Sequence, residues 1–112
     1  MKRFKYAFQG LMVLFSKDKK FLIHIIFAVI AIFLSIYLKI NTVEWILILI
    51  AIGFVLTFET INTALEYVVD LITDEYHDYA KKAKDTAAAS VMLASIIALA
   101  IGLIVFLPYF IK

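Results

Sequence analysis

Three long apolar stretches in a chain of only 112 residues constrain its fold more than any other feature. Residues 21–38 are interrupted only by His24, residues 45–58 carry no charge, and residues 86–111 carry none either. A helix that crosses the hydrocarbon core of a bilayer needs about 20 predominantly apolar residues. The first and third stretches are therefore long enough to span a membrane as they stand.

The middle stretch reaches spanning length only if its helix continues through Glu59, Asn62 and Glu66. Such a helix has about 30 residues, or about 45 Å, and would protrude from one side of the bilayer. With 65% hydrophobic and 18% charged residues and a mean hydropathy of +1.02, the chain has too little charge to cover a soluble globule. We predict an all-α membrane protein, a single domain at 1–112, with spanning helices at 21–39, 43–72 and 86–111.

Residues 1–17 have a different pattern, typical of an amphipathic helix that lies on the membrane surface. Phe4, Phe8, Leu11 and Phe15 share one helical face, whereas the polar residues of the segment lie elsewhere. The apolar run is too short for a signal peptide, and no small-residue cleavage site follows it. The sequence therefore predicts a surface helix that precedes the three spans.

The distribution of positive charge predicts the orientation in the membrane. Cytoplasmic segments carry an excess of lysine and arginine. Only Lys39 and Lys112 lie on the side that would face outward. The others precede the first span or separate the second from the third: Lys2, Arg3, Lys5, Lys17, Lys19, Lys20, Lys81, Lys82 and Lys84. We predict a multi-pass protein of the cell membrane whose N-terminus and polar 73–85 loop are cytoplasmic.

Glu59, Asn62, Glu66 and Asp70 form a polar stripe on the second spanning helix. At 100° per residue these four positions fall within an arc of about 80°. A carboxylate at membrane depth costs about 2.5–3.5 kcal/mol on insertion scales. Such side chains must therefore face a partner helix, a metal ion or a hydrated cavity rather than acyl chains.

Helix packing alone does not explain this stripe, because two glutamates and an asparagine exceed what helix register requires. Lys84 and Asp85, just before the third span, are its natural neighbours. Carboxylates, an amide and an ammonium group at one depth suit Mg²⁺ and phosphate, since Mg²⁺ favours carboxylate oxygens together with the phosphates of a substrate. Phosphoryl transfer itself depends mainly on positioning and charge neutralisation. The pattern is thus consistent with a phosphoryl-transfer site.

The E-x-x-N-x-A-x-E-x-x-V-D block from Glu59 to Asp70, with E-Y-H at residues 75–77 and K-D at residues 84–85, resembles the small prokaryotic diacylglycerol kinase and undecaprenol kinase family. The resemblance covers essentially the whole chain. It implies ATP-dependent phosphorylation of a membrane lipid alcohol, with Mg²⁺ as cofactor. It also implies a homotrimer whose active sites lie between subunits at the cytoplasmic side of the membrane.

The resemblance also implies individual roles. Glu59 would be the general base that contacts the lipid hydroxyl, and Glu66 would bind Mg²⁺. The family usually has a glutamate, often followed by an asparagine, as a second metal-binding region after the surface helix; here these positions are Asp18 and Lys20. Asp18 is thus expected to bind Mg²⁺ with a side chain that is one methylene shorter. The residues expected to contact the nucleotide are Tyr6, Asn62, Glu75, Tyr76, His77, Lys84 and Asp85.

Two substrates and a second class of function stay open. The segment Thr42-Val-Glu44-Trp45 resembles the undecaprenol kinase branch, which favours undecaprenol over diacylglycerol. A small proton-coupled exporter also uses a membrane glutamate, but usually near the middle of a span and with four spans. For His24, near the start of the first span, a structural hydrogen-bonding role is favoured over a functional one.

Overall fold

The computed structural model describes residues 2–111, and within that range the chain forms four α-helices and no strand. Three of these helices are long and apolar enough to cross a membrane, so the chain is a multi-pass membrane protein. The predicted all-α class is confirmed, whereas Lys112 of the charge argument lies outside the described residues. The helices are α1 (Lys2–Lys17), α2 (Lys19–Leu38), α3 (Thr42–Ile72) and α4 (Asp78–Phe110).

Asp18 alone separates α1 from α2. Its backbone is extended and its side chain accepts a hydrogen bond from the Phe21 amide at 3.2 Å, which makes it the N-cap of α2. Next to this joint, the rings of Phe15 and Phe21 meet edge to face with their centroids 5.2 Å apart. Apart from the buried Leu14, the large apolar side chains of α1, among them Phe4 and Phe8, are exposed as expected for a helix that rests on lipid.

The connection between α2 and α3 is a tight hairpin. Lys39 takes the left-handed conformation that ends α2, with φ 54°. Asn41 and Glu44 then form a capping box, in which each side chain accepts a hydrogen bond from the other's backbone amide. The hydroxyl of Tyr109 also donates to Glu44, so the end of α4 is joined to the start of α3. We call this end of the bundle the hairpin end.

Packing between α3 and α4 is the most extensive in the bundle, and α2 packs against α3 over a smaller area. At the hairpin end the core consists of Ile40, Ile48 and Val105, all buried. The opposite end, called here the polar end, holds Glu59, Glu66 and Asp70 of α3. The membrane-spanning helices therefore bury little in a single chain except along α3, which lies between the other two.

The start of α4 differs from the prediction. The sequence suggested a polar loop over residues 73–85, but the connection covers only residues 73–77 and α4 begins at Asp78. The side chain of His77 caps the helix by accepting a hydrogen bond from the Tyr79 amide at 3.2 Å. Two ion pairs with i, i+4 spacing then stabilise the first turns of α4. They join Asp78 to Lys82 at 3.2 Å and Lys81 to Asp85 at 2.6 Å.

Candidate active site at the polar end of the bundle

The polar stripe of α3 changes from buried to exposed along its length. Glu59 and Asn62 are only 1% and 2% exposed, because α2 and α4 cover this part of α3. The Glu66 and Asp70 side chains, one and two turns further on, are 37% and 57% exposed. Glu59 is thus enclosed by neighbouring helices, whereas Glu66 and Asp70 pair with lysines.

Glu59 lies in a network with two other residues. Its Oε2 is 3.2 Å from the hydroxyl of Thr63, one turn along α3. The same hydroxyl is 2.6 Å from Oδ2 of Asp18, the N-cap residue of α2. A hydroxyl has one proton to donate, so the shorter contact identifies Asp18 as its main acceptor. Thr63, which the sequence analysis did not single out, thus connects the predicted base to the N-cap of α2.

Asp18 is 8% exposed, and both of its carboxylate oxygens accept hydrogen bonds from the protein. Burial favours its neutral form, but the contacts with Thr63 and Glu59, the Phe21 amide and the charge of Lys20 outweigh burial and lower the pKa of Asp18 below its usual value. The observed roles of this carboxylate are therefore capping and helix joining. A metal-binding role for Asp18 stays a prediction.

Lys20 pairs with Glu66, the other predicted metal ligand. The ammonium of Lys20 is 3.2 Å from Oε2 of Glu66, and both side chains are partly exposed. The sequence analysis named Lys84 but not Lys20 as a basic neighbour of the stripe, because it began the first span at residue 21. Asp18 was the signal that could have corrected this, since an aspartate N-cap at that position places Lys20 in the first turn of α2.

The other predicted site residues are only partly brought together. Lys84 reaches the stripe as expected, with its ammonium 2.6 Å from Oδ1 of Asp70. Asp85 instead pairs with Lys81 on its own helix. Tyr6 on α1 and Tyr76 in the α3–α4 connection are 63% and 80% exposed, and Glu75 and His77 belong to the same connection. Their nucleotide-binding roles stay predictions.

Two cavities meet beside Glu59. The smaller, about 220 Å³, is called here the polar cavity and is lined by Lys20, His24, Glu59, Asn62 and Ser95 together with apolar side chains. The larger, about 600 Å³, is called the apolar groove and runs between α2, α3 and α4 to Phe110 near the hairpin end. His24 and Ser95 line both cavities. The apolar groove therefore leads along the bundle to His24 and Ser95, which also border the cavity that Glu59 lines.

The residues present fit a magnesium ion at the polar end. Oδ1 of Asn62 is buried and has no hydrogen-bond partner within residues 2–111. The Glu66 carboxylate lies one turn away on the same helix face. Across the described chain no three His, Cys, Asp or Glu side chains form a metal cage. Mg²⁺ needs no such cage, because it is usually held by one or two carboxylates and the phosphates of its substrate.

Comparison with known proteins identifies the family. The model of the prokaryotic diacylglycerol kinase family matches residues 5–106, which include parts of all four helices. The chain belongs to this family of lipid kinases. This family assignment confirms the one made from the E-x-x-N-x-A-x-E-x-x-V-D block.

The family's characterised members include kinases of two different lipids. The chain is 36% identical to the undecaprenol kinase of Bacillus subtilis over 107 residues, which cover 96% of this chain and 87% of that enzyme. It is 37% identical to the diacylglycerol kinase of Synechocystis over 94% of this chain and 61% of that protein. Identity to the diacylglycerol kinase of Escherichia coli is 29%, over 83% of this chain and 76% of that one.

Proposed function

We propose that this chain transfers the γ-phosphoryl group of ATP to the hydroxyl of a membrane lipid, with undecaprenol as the acceptor and undecaprenyl phosphate as the product. The observation that carries the proposal is the position of Glu59, a buried carboxylate where the apolar groove meets the polar cavity. A lipid alcohol has the matching shape, since a long apolar chain ends in a single hydroxyl. The relative from Bacillus subtilis, an undecaprenol kinase, supports this acceptor.

In the proposed reaction the lipid oxygen forms a bond to the γ-phosphorus of ATP. The bond from that phosphorus to the bridging β–γ oxygen breaks, and its electron pair leaves with ADP. Glu59 orients the lipid hydroxyl and accepts its proton. Phosphoryl transfer passes through a loose transition state, so the main work of the site is to align the hydroxyl with the phosphorus and to balance the charge of the phosphates.

Glu66 and Asn62 would hold Mg²⁺, whose chemistry when bound is to neutralise the negative charge of the nucleotide phosphates. Lys84 supplies further positive charge at the polar end of the bundle. The exposed side chains of residues 75–77 and Tyr6 would contact the rest of the nucleotide. The excess of lysine at this end supports its placement in the cytoplasm, where ATP is found.

A homotrimer with sites between subunits is part of the proposal. In a single chain Glu66 and Asp70 are still partly exposed, and the side chain of Asn62 has an oxygen that lacks a partner among the described residues. Exposed carboxylates at the membrane boundary and a buried amide without a partner both favour a neighbouring chain or a ligand. Diacylglycerol stays the alternative acceptor, supported by the relatives from Synechocystis and Escherichia coli.

Nothing at the site favours an exporter. The acidic residues of the polar stripe lie in the second half of α3, and Glu66 and Asp70 pair with lysines rather than lining a path at mid-membrane. Thermal stabilisation by a bound nucleotide distinguishes a kinase from an exporter. A kinase should melt at a higher temperature when Mg²⁺ and a non-hydrolysable ATP analogue are added, whereas an exporter should not respond.

The decisive experiment supplies the purified protein in detergent with Mg-ATP and either undecaprenol or diacylglycerol, and measures the lipid phosphate by mass spectrometry. We expect undecaprenyl phosphate to form faster. Faster phosphorylation of diacylglycerol would overturn the substrate but keep the class of enzyme. Glu59→Gln should lower kcat by about a hundredfold or more, because the remaining amide cannot accept the proton, while the oligomer stays intact. Phosphorylation of neither lipid would refute the proposed function.

A further inference from the structure

His24 of α2 faces Glu59 across the polar cavity. Nε2 of His24 is 3.8 Å from Oε1 of Glu59. This distance is too long for a direct hydrogen bond, for which the two atoms should be about 2.7–3.2 Å apart. The other carboxylate oxygen, Oε2, is the one that contacts Thr63. Oε1 of Glu59 is therefore near Nε2 of His24 but not hydrogen-bonded to it.

The gap between these two atoms suits one further oxygen atom. An oxygen about 2.8 Å from both Nε2 and Oε1 would lie to one side of the line that joins them, at ordinary hydrogen-bond distance from each. Both side chains line the polar cavity of about 220 Å³, which has room for such an atom. His24 also lines the apolar groove, whereas Glu59 does not. An apolar chain lying in the groove would thus bring a terminal hydroxyl to His24 and Glu59 together.

We propose that His24 and Glu59 jointly bind the acceptor hydroxyl of the lipid alcohol. The inference rests on the proposed function and adds a second substrate-binding group to it. The hydroxyl donates its hydrogen to Oε1 of Glu59 and accepts a hydrogen bond from the Nε2–H of His24. Its remaining lone pair then points away from both groups and forms the new bond to the γ-phosphorus, while the proton passes to Glu59.

Two contacts hold a hydroxyl in one orientation, whereas one contact leaves it free to rotate. This difference matters because orientation of the attacking atom accounts for a large share of the rate in phosphoryl transfer. The structural role favoured by the sequence makes a different prediction. If His24 served only to stabilise the bundle, its replacement would lower the melting temperature without a specific effect on the lipid reaction.

Two substitutions separate these roles. In His24→Gln the side-chain amide nitrogen lies near the position of Nε2, and in His24→Asn it lies near that of Nδ1. Both variants keep a polar amide, and only the first can reach the hydroxyl. With undecaprenol and Mg-ATP, we expect His24→Asn to lower kcat at least tenfold and His24→Gln to lower it threefold or less. The KM for Mg-ATP should stay within twofold in both variants.

Ser35→Ala is the matched control on α2. Ser35 is fully buried and donates a hydrogen bond to the Ala31 carbonyl at 2.7 Å, but it lines neither cavity. Its kcat should be within twofold of wild type. Equal kcat values for the Gln and Asn variants, whether both high or both low, would overturn the inference while the kinase function stands. Failure of the wild-type chain to phosphorylate any lipid alcohol would instead refute the proposed function.

Discussion

At the scale of single residues, the site depends on a few polar side chains that share partners. Thr63 is the clearest case, because its hydroxyl contacts Asp18 of the α2 cap and Glu59 of α3. The three residues are all less than 10% exposed. When a buried carboxylate loses a hydrogen-bond donor, its desolvation free energy is no longer offset by that hydrogen bond. Thr63 should therefore matter more than its ordinary appearance in the sequence suggests.

Thr63→Val tests this network with almost no change in shape. We expect a loss of about 1–3 kcal/mol in stability, because the Asp18 carboxylate then lacks a buried hydrogen-bond donor. Thermal unfolding in detergent measures the loss as a lower melting temperature. Thr60→Val is the matched control, since Thr60 is exposed and donates only to the Leu56 carbonyl of its own helix. Equal melting temperatures for the two variants would contradict the prediction.

Lys20 competes with Mg²⁺ for Glu66 in the proposed enzyme. An ion pair between partly exposed side chains contributes about 0.2–1 kcal/mol, so its removal should lower the Mg²⁺ concentration for half-maximal activity by up to about fivefold. Lys20→Asn makes this change. Titration of kinase activity with Mg²⁺ at saturating ATP measures it, with Lys19→Asn as the control for loss of charge. A higher Mg²⁺ requirement would show instead that Lys20 helps to bind the phosphates.

At the scale of elements, the joint between α1 and α2 determines where the site can form. Asp18 follows the surface helix and caps the first spanning helix. Its carboxylate also accepts a hydrogen bond from the hydroxyl of Thr63 on α3. Three helices are thus positioned by one carboxylate. Because α2 starts immediately after it, Lys20 and His24 face α3 within the first two turns. A change at this joint should therefore affect both stability and the site.

The lowered pKa of Asp18 makes its contribution to stability depend on pH. Its folded pKa lies below the ordinary value of 3.8, so the stabilisation is complete above that value and is lost as the pH falls through the folded pKa. We expect wild type to melt above Asp18→Asn at pH 5. That margin should shrink below about pH 4. Melting curves of both proteins over this range test it, and a margin that grows on acidification would contradict it.

At the scale of the whole molecule, a single chain leaves its site incomplete. Residues 75–77 are exposed at the polar end, where the Glu75 amide donates to Thr73 and His77 accepts a hydrogen bond from the Tyr79 amide. The Glu66 carboxylate also stays partly exposed. A neighbouring chain that supplies its own α3–α4 connection would complete the nucleotide-binding part. The proposed trimer follows from this need as well as from the burial of polar side chains.

Mixed oligomers test whether sites are shared. Glu59→Gln and His77→Ala should each be inactive alone, because each removes one part of every site. Co-expressed chains that assemble at random should regain about a quarter of wild-type activity if Glu59 and His77 of one site come from different chains. Pull-down through a tag on one variant verifies mixing. Mixed oligomers without activity would place both residues of a site in one chain.

The sequence by itself determined the helices, the three spans, the polar stripe and the family. Apolar length, helical periodicity and a linear motif are all local properties, so Glu59, Asn62 and Glu66 could be singled out without coordinates. Helix caps were harder to predict from the sequence. The start of α4 at Asp78 was missed because the His77 cap and ion pairs between residues one turn apart stabilise it.

Only the tertiary structure decided which side chains meet. Lys20 with Glu66 and Asp18 with Thr63 are separated by 46 and 45 residues along the chain, and His24 meets Glu59 from another helix. Such contacts depend on how each helix is rotated about its axis and how far it is shifted along its neighbour. Packing of side chains across the whole interface sets both quantities. No local pattern contains that information, which is why neither the approach of His24 to Glu59 nor the contacts of Thr63 were predicted.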